Sequence, residues 1–291
     1  MSQSSLLHLA EHSAREAKAR REDLRTILFP RAGRPPSERQ IAAIRRCLAG
    51  WIGEIETALV GPIDDGVEER QVYPRCWRAL TASGLLGDDS LLDMAENLLF
   101  LSEIHGIGQE SGDDGVLAYI GEIAGEENDL TATAARRLLE AHFRLRATPV
   151  PSIRELPADM LGLLCWRVVA AHEVMAPGSH ERLAPMVAKL LSRHDESRRL
   201  MASAEALAHK LLEDGRYLAS RPELWPERQG LPLALALLSL APDMPLFDIV
   251  AMAREDGAAR LALLLRALGY SRQEAARLIA CWLRTLICRL F

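Results

Sequence analysis

Residues 37–60, SERQIAAIRRCLAGWIGEIETALV, decide the fold class. Ile41, Ile44, Leu48, Trp51, Ile52, Ile55 and Leu59 recur at steps of three and four, which places them on one face of an α-helix. Ser37 and Gln40 open it as a capping box, with Pro35 and Pro36 just outside. The same pattern recurs at the far end of the chain. Ser271 and Glu274 form a second box, and Leu278, Ile279, Trp282, Leu283, Leu286, Ile287 and Leu290 carry the stripe. Gly269 stops the helix before it.

Between these two, helical periodicity predicts elements at about 4–29, 74–82, 90–104, 116–124, 131–146, 157–175, 181–193, 197–213, 232–240, 246–254 and 258–268. Most are divided by Gly, Pro, Asp or Ser. β-Branched and aromatic residues never alternate over a useful length, and aromatics make up only 5% of the chain, so strands are not expected. The expected fold is therefore all-α: about a dozen antiparallel helices in an irregular, HEAT-like α-solenoid or a helical bundle. No internal repeat decides between these. The likeness of residues 163–167 to residues 279–284 covers a turn and a half. The expected division is a partly mobile N-terminal helix at 1–30, an N-terminal helical half at 31–150 and a C-terminal half at 151–291, the two halves being alternatively one continuous domain.

A chain of 291 residues buries roughly three quarters of the surface its unfolded form exposes, enough for a large core without disulfides. Its five cysteines, Cys47, Cys76, Cys165, Cys281 and Cys288, are odd in number, scattered, and mostly at apolar helical positions. There a thiol behaves as a small hydrophobe, and no CxxC spacing suggests a metal. The N-terminus is broken by charge within a dozen residues, unlike a secretory signal. The longest apolar run, 231–241, is well short of the about twenty residues that cross a bilayer. A soluble protein of the reducing cytoplasm is expected, with no membrane insertion.

Motifs that could carry chemistry are weak. Asp64-Asp65-Gly66 and Asp113-Asp114-Gly115 read as acidic turns, without the alternating oxygen ligands of a calcium loop. Gly106, Gly108 and Gly112 follow no strand and precede no Lys, and Glu110, Asp113 and Asp114 beside them would repel phosphate. His172-Glu173 begins like a zinc-protease helix, but Ala176 stands where the second histidine belongs. His8 and His12 are one turn apart in a terminal segment, where a solvated face is the plainer reading. The sequence thus names no catalytic residue, cofactor site or metal site. An enzyme would need a pocket joining carboxylates to His105 or His142.

Charge is distributed unevenly. Residues 79–135 contain no Lys or Arg, while Asp88, Asp89, Asp93, Glu96, Glu103, Glu110, Asp113, Asp114, Glu122, Glu126, Glu127 and Asp129 supply twelve negative charges. Such a segment either meets the arginine-rich helices elsewhere in the fold or presents an acidic face to a basic protein partner. Glu96, Glu103, Asp113 and Asp114 are the candidates for that partner surface. The acidic segment and a net charge of -5 weigh against nucleic acid, which only the pairs Arg20-Arg21, Arg45-Arg46, Arg136-Arg137 and Arg198-Arg199 favour. Arginine outnumbers lysine 32 to 3, first of all a mark of genome composition. At the C-terminus, Leu286, Ile287, Leu290 and Phe291 carry an apolar stripe to the last residue, suited to docking on a neighbouring helix or on a second copy of the chain.

Three stretches, LRTILFPRAGRPPSERQIAAIRRCLAGWIGEIETAL, then ATAARRLLEAHFRLR with ELPADMLGLLCWRVVAA, and LLLRALGYSRQEAARL, together resemble the alphaproteobacterial family called domain of unknown function 2336. The likeness runs over most of the chain from about Arg21 and lies in helical packing patterns. It implies a helical, HEAT-like cytoplasmic protein and carries no catalytic residues with it. The expected function is that of a non-enzymatic scaffold or adaptor, with helical-repeat nucleic-acid binding and an unrecognised enzyme site as alternatives.

Overall fold

The computed structural model describes residues 37–61, 73–107, 115–126, 129–148, 150–216, 231–254 and 258–287. The expected helix at 4–29, the His8/His12 pair, the Asp64-Asp65-Gly66 turn, Gly108, Gly112, Asp113, Asp114, Leu290 and Phe291 lie outside the described residues.

Twelve α-helices and no strand occur among the described residues. They are α1 (Glu38–Val60), α2 (Trp77–Ala82), α3 (Asp89–Ile107), α4 (Gly115–Ala124), α5 (Leu130–Ala147), α6 (Ala158–Met175), α7 (Ser179–Ser192), α8 (Leu200–Glu213), α9 (Leu231–Leu240), α10 (Leu246–Arg254), α11 (Ala259–Ala267) and α12 (Arg272–Ile287). Short 3-10 turns at Ile153–Glu155 and Glu196–Arg198 precede α6 and α8. The helix expected at 197–213 thus begins as a 3-10 turn and becomes α-helical only from Leu200.

The periodic stripe of α1 is its buried face: Leu48, Trp51, Ile52, Ile55 and Leu59 are all buried, with Ile41 of the first turn left exposed. At α12 the predicted capping box closes in both directions. The Ser271 N–H donates to Glu274 Oε2 (2.6 Å) and the Glu274 N–H donates to Ser271 Oγ (3.2 Å). Ala275 and Leu278 then turn inward and pack α12 on α11 and α3. Ser271→Ala removes the acceptor for one orphan N–H, so thermal unfolding should fall by about 2–4 °C in a calorimetric scan.

Two cores hold the helices together. One gathers α1, α2, the first half of α3, the Ile153–Glu155 turn, α6 and α7. The other gathers Phe100 and Leu101 of α3 with α4, α5 and α8 to α12. α9 is apolar on every side and buried from Leu231 to Ser239, as such a helix must be. Neither core is one contiguous stretch. α6 and α7 return to pack on α1, while α10 and α12 return to pack on α3. Contacts between helices distant in sequence therefore close both cores, beyond the neighbour-to-neighbour stacking of a simple solenoid. Among the described residues, those from Glu38 onward form one compact unit.

α3 serves both cores, and at their junction stands Asn97, fully buried, its Nδ2 donating to the Phe247 carbonyl of α10 (3.4 Å). Phe247 itself packs against both clusters.

Candidate functional site

The acidic segment is met by arginines distant in sequence. Arg167 of α6 donates to Asp88 at 3.1 Å. Arg254 of α10 reaches Asp93 at 3.4 Å and forms an ion pair with Glu96 at 2.5 Å. Arg216 makes a fork with Glu126, Nη1 to Oε2 at 2.9 Å and Nη2 to Oε1 at 2.5 Å. Of the four candidate residues, Glu96 is thus paired within the fold. Glu103 lies on α3 with its side chain outside the described residues, as are Asp113 and Asp114 altogether.

The hydrogen bond from Arg167, then that from the Leu91 N–H, holds the Asp88 carboxyl below its ordinary value, and Arg216 does the same for Glu126. A carboxylate depressed in the folded state stabilises that state above its unfolded pKa. The contribution fades as pH falls through the lowered value, so these pairs persist at neutral pH. Several of the paired arginines proposed as a nucleic-acid footprint are also engaged. Arg136 caps the end of α4 through the carbonyls of Ala124 and Glu126, and Arg198 bridges to Glu140.

Cys47, Cys76 and Cys165 are buried free thiols. Burial pushes Cys165 up to about 11 and raises Cys47 and Cys76 further, so all three are protonated near neutrality and none is an activated nucleophile.

One of them belongs to a polar cluster inside the first core. Glu56 of α1 is buried, and its carboxylate accepts the N–H of Arg75 at Oε2 (3.0 Å) and that of Cys76 at Oε1 (2.9 Å), just ahead of α2. His172 Nε2 of α6 lies 3.1 Å from the same Oε1. The Cys76 thiol completes the group: one ligating atom from each of Glu56, Cys76 and His172 lies within 4.8 Å of the others. No sequence pattern announces this cluster, because positions 56, 76 and 172 meet only when α1, α2 and α6 pack.

Among the described residues, the outer face of α6 is an exposed apolar stripe. Leu163, Trp166, Ala170 and Val174 recur there at steps of three and four and are all exposed, Val174 at 79%. The opposite face, Leu161, Leu164, Cys165, Val168 and Val169, fills the first core. The stripe borders a shallow groove beside the start of α7, lined by Trp166, Ala170, Glu173, Gly178, His180 and Glu181. The Trp166 ring stacks on His180, with centroids 5.9 Å apart and planes 29° apart.

Glu173 accepts the N–H of Gly178 and of His180, each at 2.8 Å, which ties the end of α6 to the start of α7. These bonds hold its carboxyl below the usual range. Gly178 stands at φ +86°, a conformation that favours glycine. The apolar residues of α6 were legible one by one; that, among the described residues, one of its two apolar faces would be exposed was not.

A second groove, bounded by Glu54, Thr57, Arg154, Arg193 and His194, contains a histidine already bonded from Nε2 to the Leu156 carbonyl (2.9 Å). Among the described residues no helix is long and apolar enough to cross a membrane. No protein-family model matches this chain, and neither a curated protein nor a solved structure does.

Proposed function

We propose that this protein is a non-enzymatic helical adaptor of the cytoplasm that binds an amphipathic helix of another protein along the outer face of α6. The carrying observation is the contrast between two apolar helices: α9 is covered on all sides, whereas α6 keeps Leu163, Trp166, Ala170 and Val174 in solvent. An exposed stripe of this kind costs solubility and marks an interaction surface. Residues 163–174 span about three helical turns, roughly 16 Å, the length over which a partner helix lays its i, i+3, i+4 and i+7 anchors.

The charged residues bordering the groove, Glu173 and Glu181, favour basic residues flanking the partner's apolar face. This keeps the basic partner expected from the sequence and moves its contact from the acidic segment, where Asp88, Asp93, Glu96 and Glu126 already face arginines, to the edge of α6. The buried, protonated thiols suit a reducing compartment. The resemblance to domain of unknown function 2336 belongs to the same reading.

The test places a photo-crosslinking residue at Val174, with Leu212 of α8 as an exposed control, in cells expressing the full chain. Capture at Val174 of one segment with helical apolar periodicity and basic flanks, absent at Leu212 and reduced at least tenfold by Leu163→Glu with Trp166→Glu, is the expected result. Equal capture at both positions, no capture, or capture of a second copy of the chain alone would sink the proposal. A contact that is mainly apolar should survive high salt, whereas one carried by the acidic segment would not.

A further inference from the structure

We infer that Glu56, Cys76 and His172 form a binding site for one thiophilic divalent cation, of the zinc class. The plainer description of Glu56 is a cap that receives the N–H groups of Arg75 and Cys76. That role uses a carboxylate alone. It leaves unexplained why a thiol and an imidazole, brought from a separate loop and a separate helix, converge on the same carboxylate in an otherwise apolar core. Thiolate, imidazole and carboxylate are together the donor set of zinc.

The spacing fits. A tetrahedral ion with bonds of about 2.0–2.3 Å sets its ligand atoms about 3.3–3.6 Å apart. His172 Nε2 and Glu56 Oε1 stand at 3.1 Å, and no pair of the three ligand atoms exceeds 4.8 Å, so side-chain adjustments on the order of 1 Å close the shell. The orientation of the carboxylate is set from behind by the Arg75 N–H at Oε2, as outer-shell bonds orient metal ligands. Three protein ligands leave a fourth position for water, and His172, the least buried of the three, marks the side from which ion and water enter.

In the metal-free protein the Cys76 thiol keeps its proton, because burial and the neighbouring Glu56 carboxylate disfavour the thiolate. Binding exchanges that proton for the ion: the S–H bond breaks, the S–metal bond forms, and one proton per cation passes to solvent. Affinity therefore falls as pH is lowered. The ion would join α1, α2 and α6 at one point and stabilise the folded chain by mass action.

The experiment uses the full chain, stripped with a chelator and dialysed, then titrated separately with Zn2+ alone and with Co2+ alone. One equivalent of Zn2+ should bind and raise the unfolding temperature, and one equivalent of Co2+ should give thiolate-to-cobalt charge-transfer absorption. Cys76→Ser should remove that absorption, and His172→Gln should weaken binding at least tenfold. A companion variant with Cys281→Ser and Cys288→Ser, which leaves the cluster intact, should keep the band. Absence of the band in the unaltered protein, its survival in Cys76→Ser, or its loss in the companion variant overturns the inference. None of these outcomes bears on the α6 surface, which is read by crosslinking.

Discussion

Replacing Trp51 by alanine should destabilise the protein by about 3–5 kcal/mol, measured as a shift in chemical-denaturation midpoint with unchanged slope. The ring is fully buried in the first core, among residues of α1, α6 and α7. Its Nε1–H donates to the Pro151 carbonyl at 2.7 Å, a buried contact between residues a hundred positions apart. Alanine opens a cavity and also leaves that carbonyl without its donor. Trp51→Phe separates the two effects: it retains most of the apolar volume and loses the hydrogen bond, so it should cost less than half as much. Beside it, an added Cβ at Gly50 would stand 3.0 Å from Val150 Cγ1, so a larger residue there would have to displace that side chain. A Trp51→Ala protein that unfolds at the same denaturant concentration as the unaltered chain would show that the α1 contact to residues 150–151 does not hold the core.

Glu155→Ala should be nearly as severe, about 3–5 kcal/mol, for an electrostatic reason. Glu155 is buried at the end of a 3-10 turn, and its Oε1 receives both Nε (3.1 Å) and Nη2 (2.7 Å) of Arg144. Its Oε2 receives the N–H of Leu200 at 2.7 Å, the first residue of α8. One carboxylate thus pairs a half-buried guanidinium and caps a helix whose own flanking residue, Arg199, provides no side-chain cap. Truncation removes the acid partner of Arg144, which keeps only its bond to the Arg198 carbonyl, and at the same time the acceptor for the Leu200 N–H. A double-mutant cycle with Arg144→Ala should show a coupling of about 1–3 kcal/mol, because the two residues are in direct contact. Additive losses would mean that the carboxylate acts only as a cap for α8.

Much of this was readable along the chain. The helix limits agree with the periodicity to within about three residues at α1, α3 to α7 and α9 to α11 because the hydrophobic period and the turn residues are both local signals. The Ser271–Glu274 box was legible for the same reason. Glu155 was not, since nothing in IRE at 153–155 shows that its carboxylate meets Arg144 and Leu200. Glu56 was hidden more deeply: it sits beside Ile55 in an amphipathic helix, one charged residue among several, and only the arrival of Cys76 and His172 gives it a role.

By itself the sequence determined that the chain would be helical, roughly where each helix would start and stop, and that its negative charge would be concentrated in one stretch, because periodicity, capping and composition are properties of neighbouring residues. Tertiary structure alone decided that α6 and α7 fold back onto α1, that Arg167, Arg216 and Arg254 meet four of the twelve carboxylates of the acidic stretch, that three ligating side chains meet beside the start of α2, and that, among the described residues, one apolar face of α6 is exposed. Those outcomes depend on which surfaces bury one another across separations of tens to more than a hundred residues, and no local pattern encodes that choice.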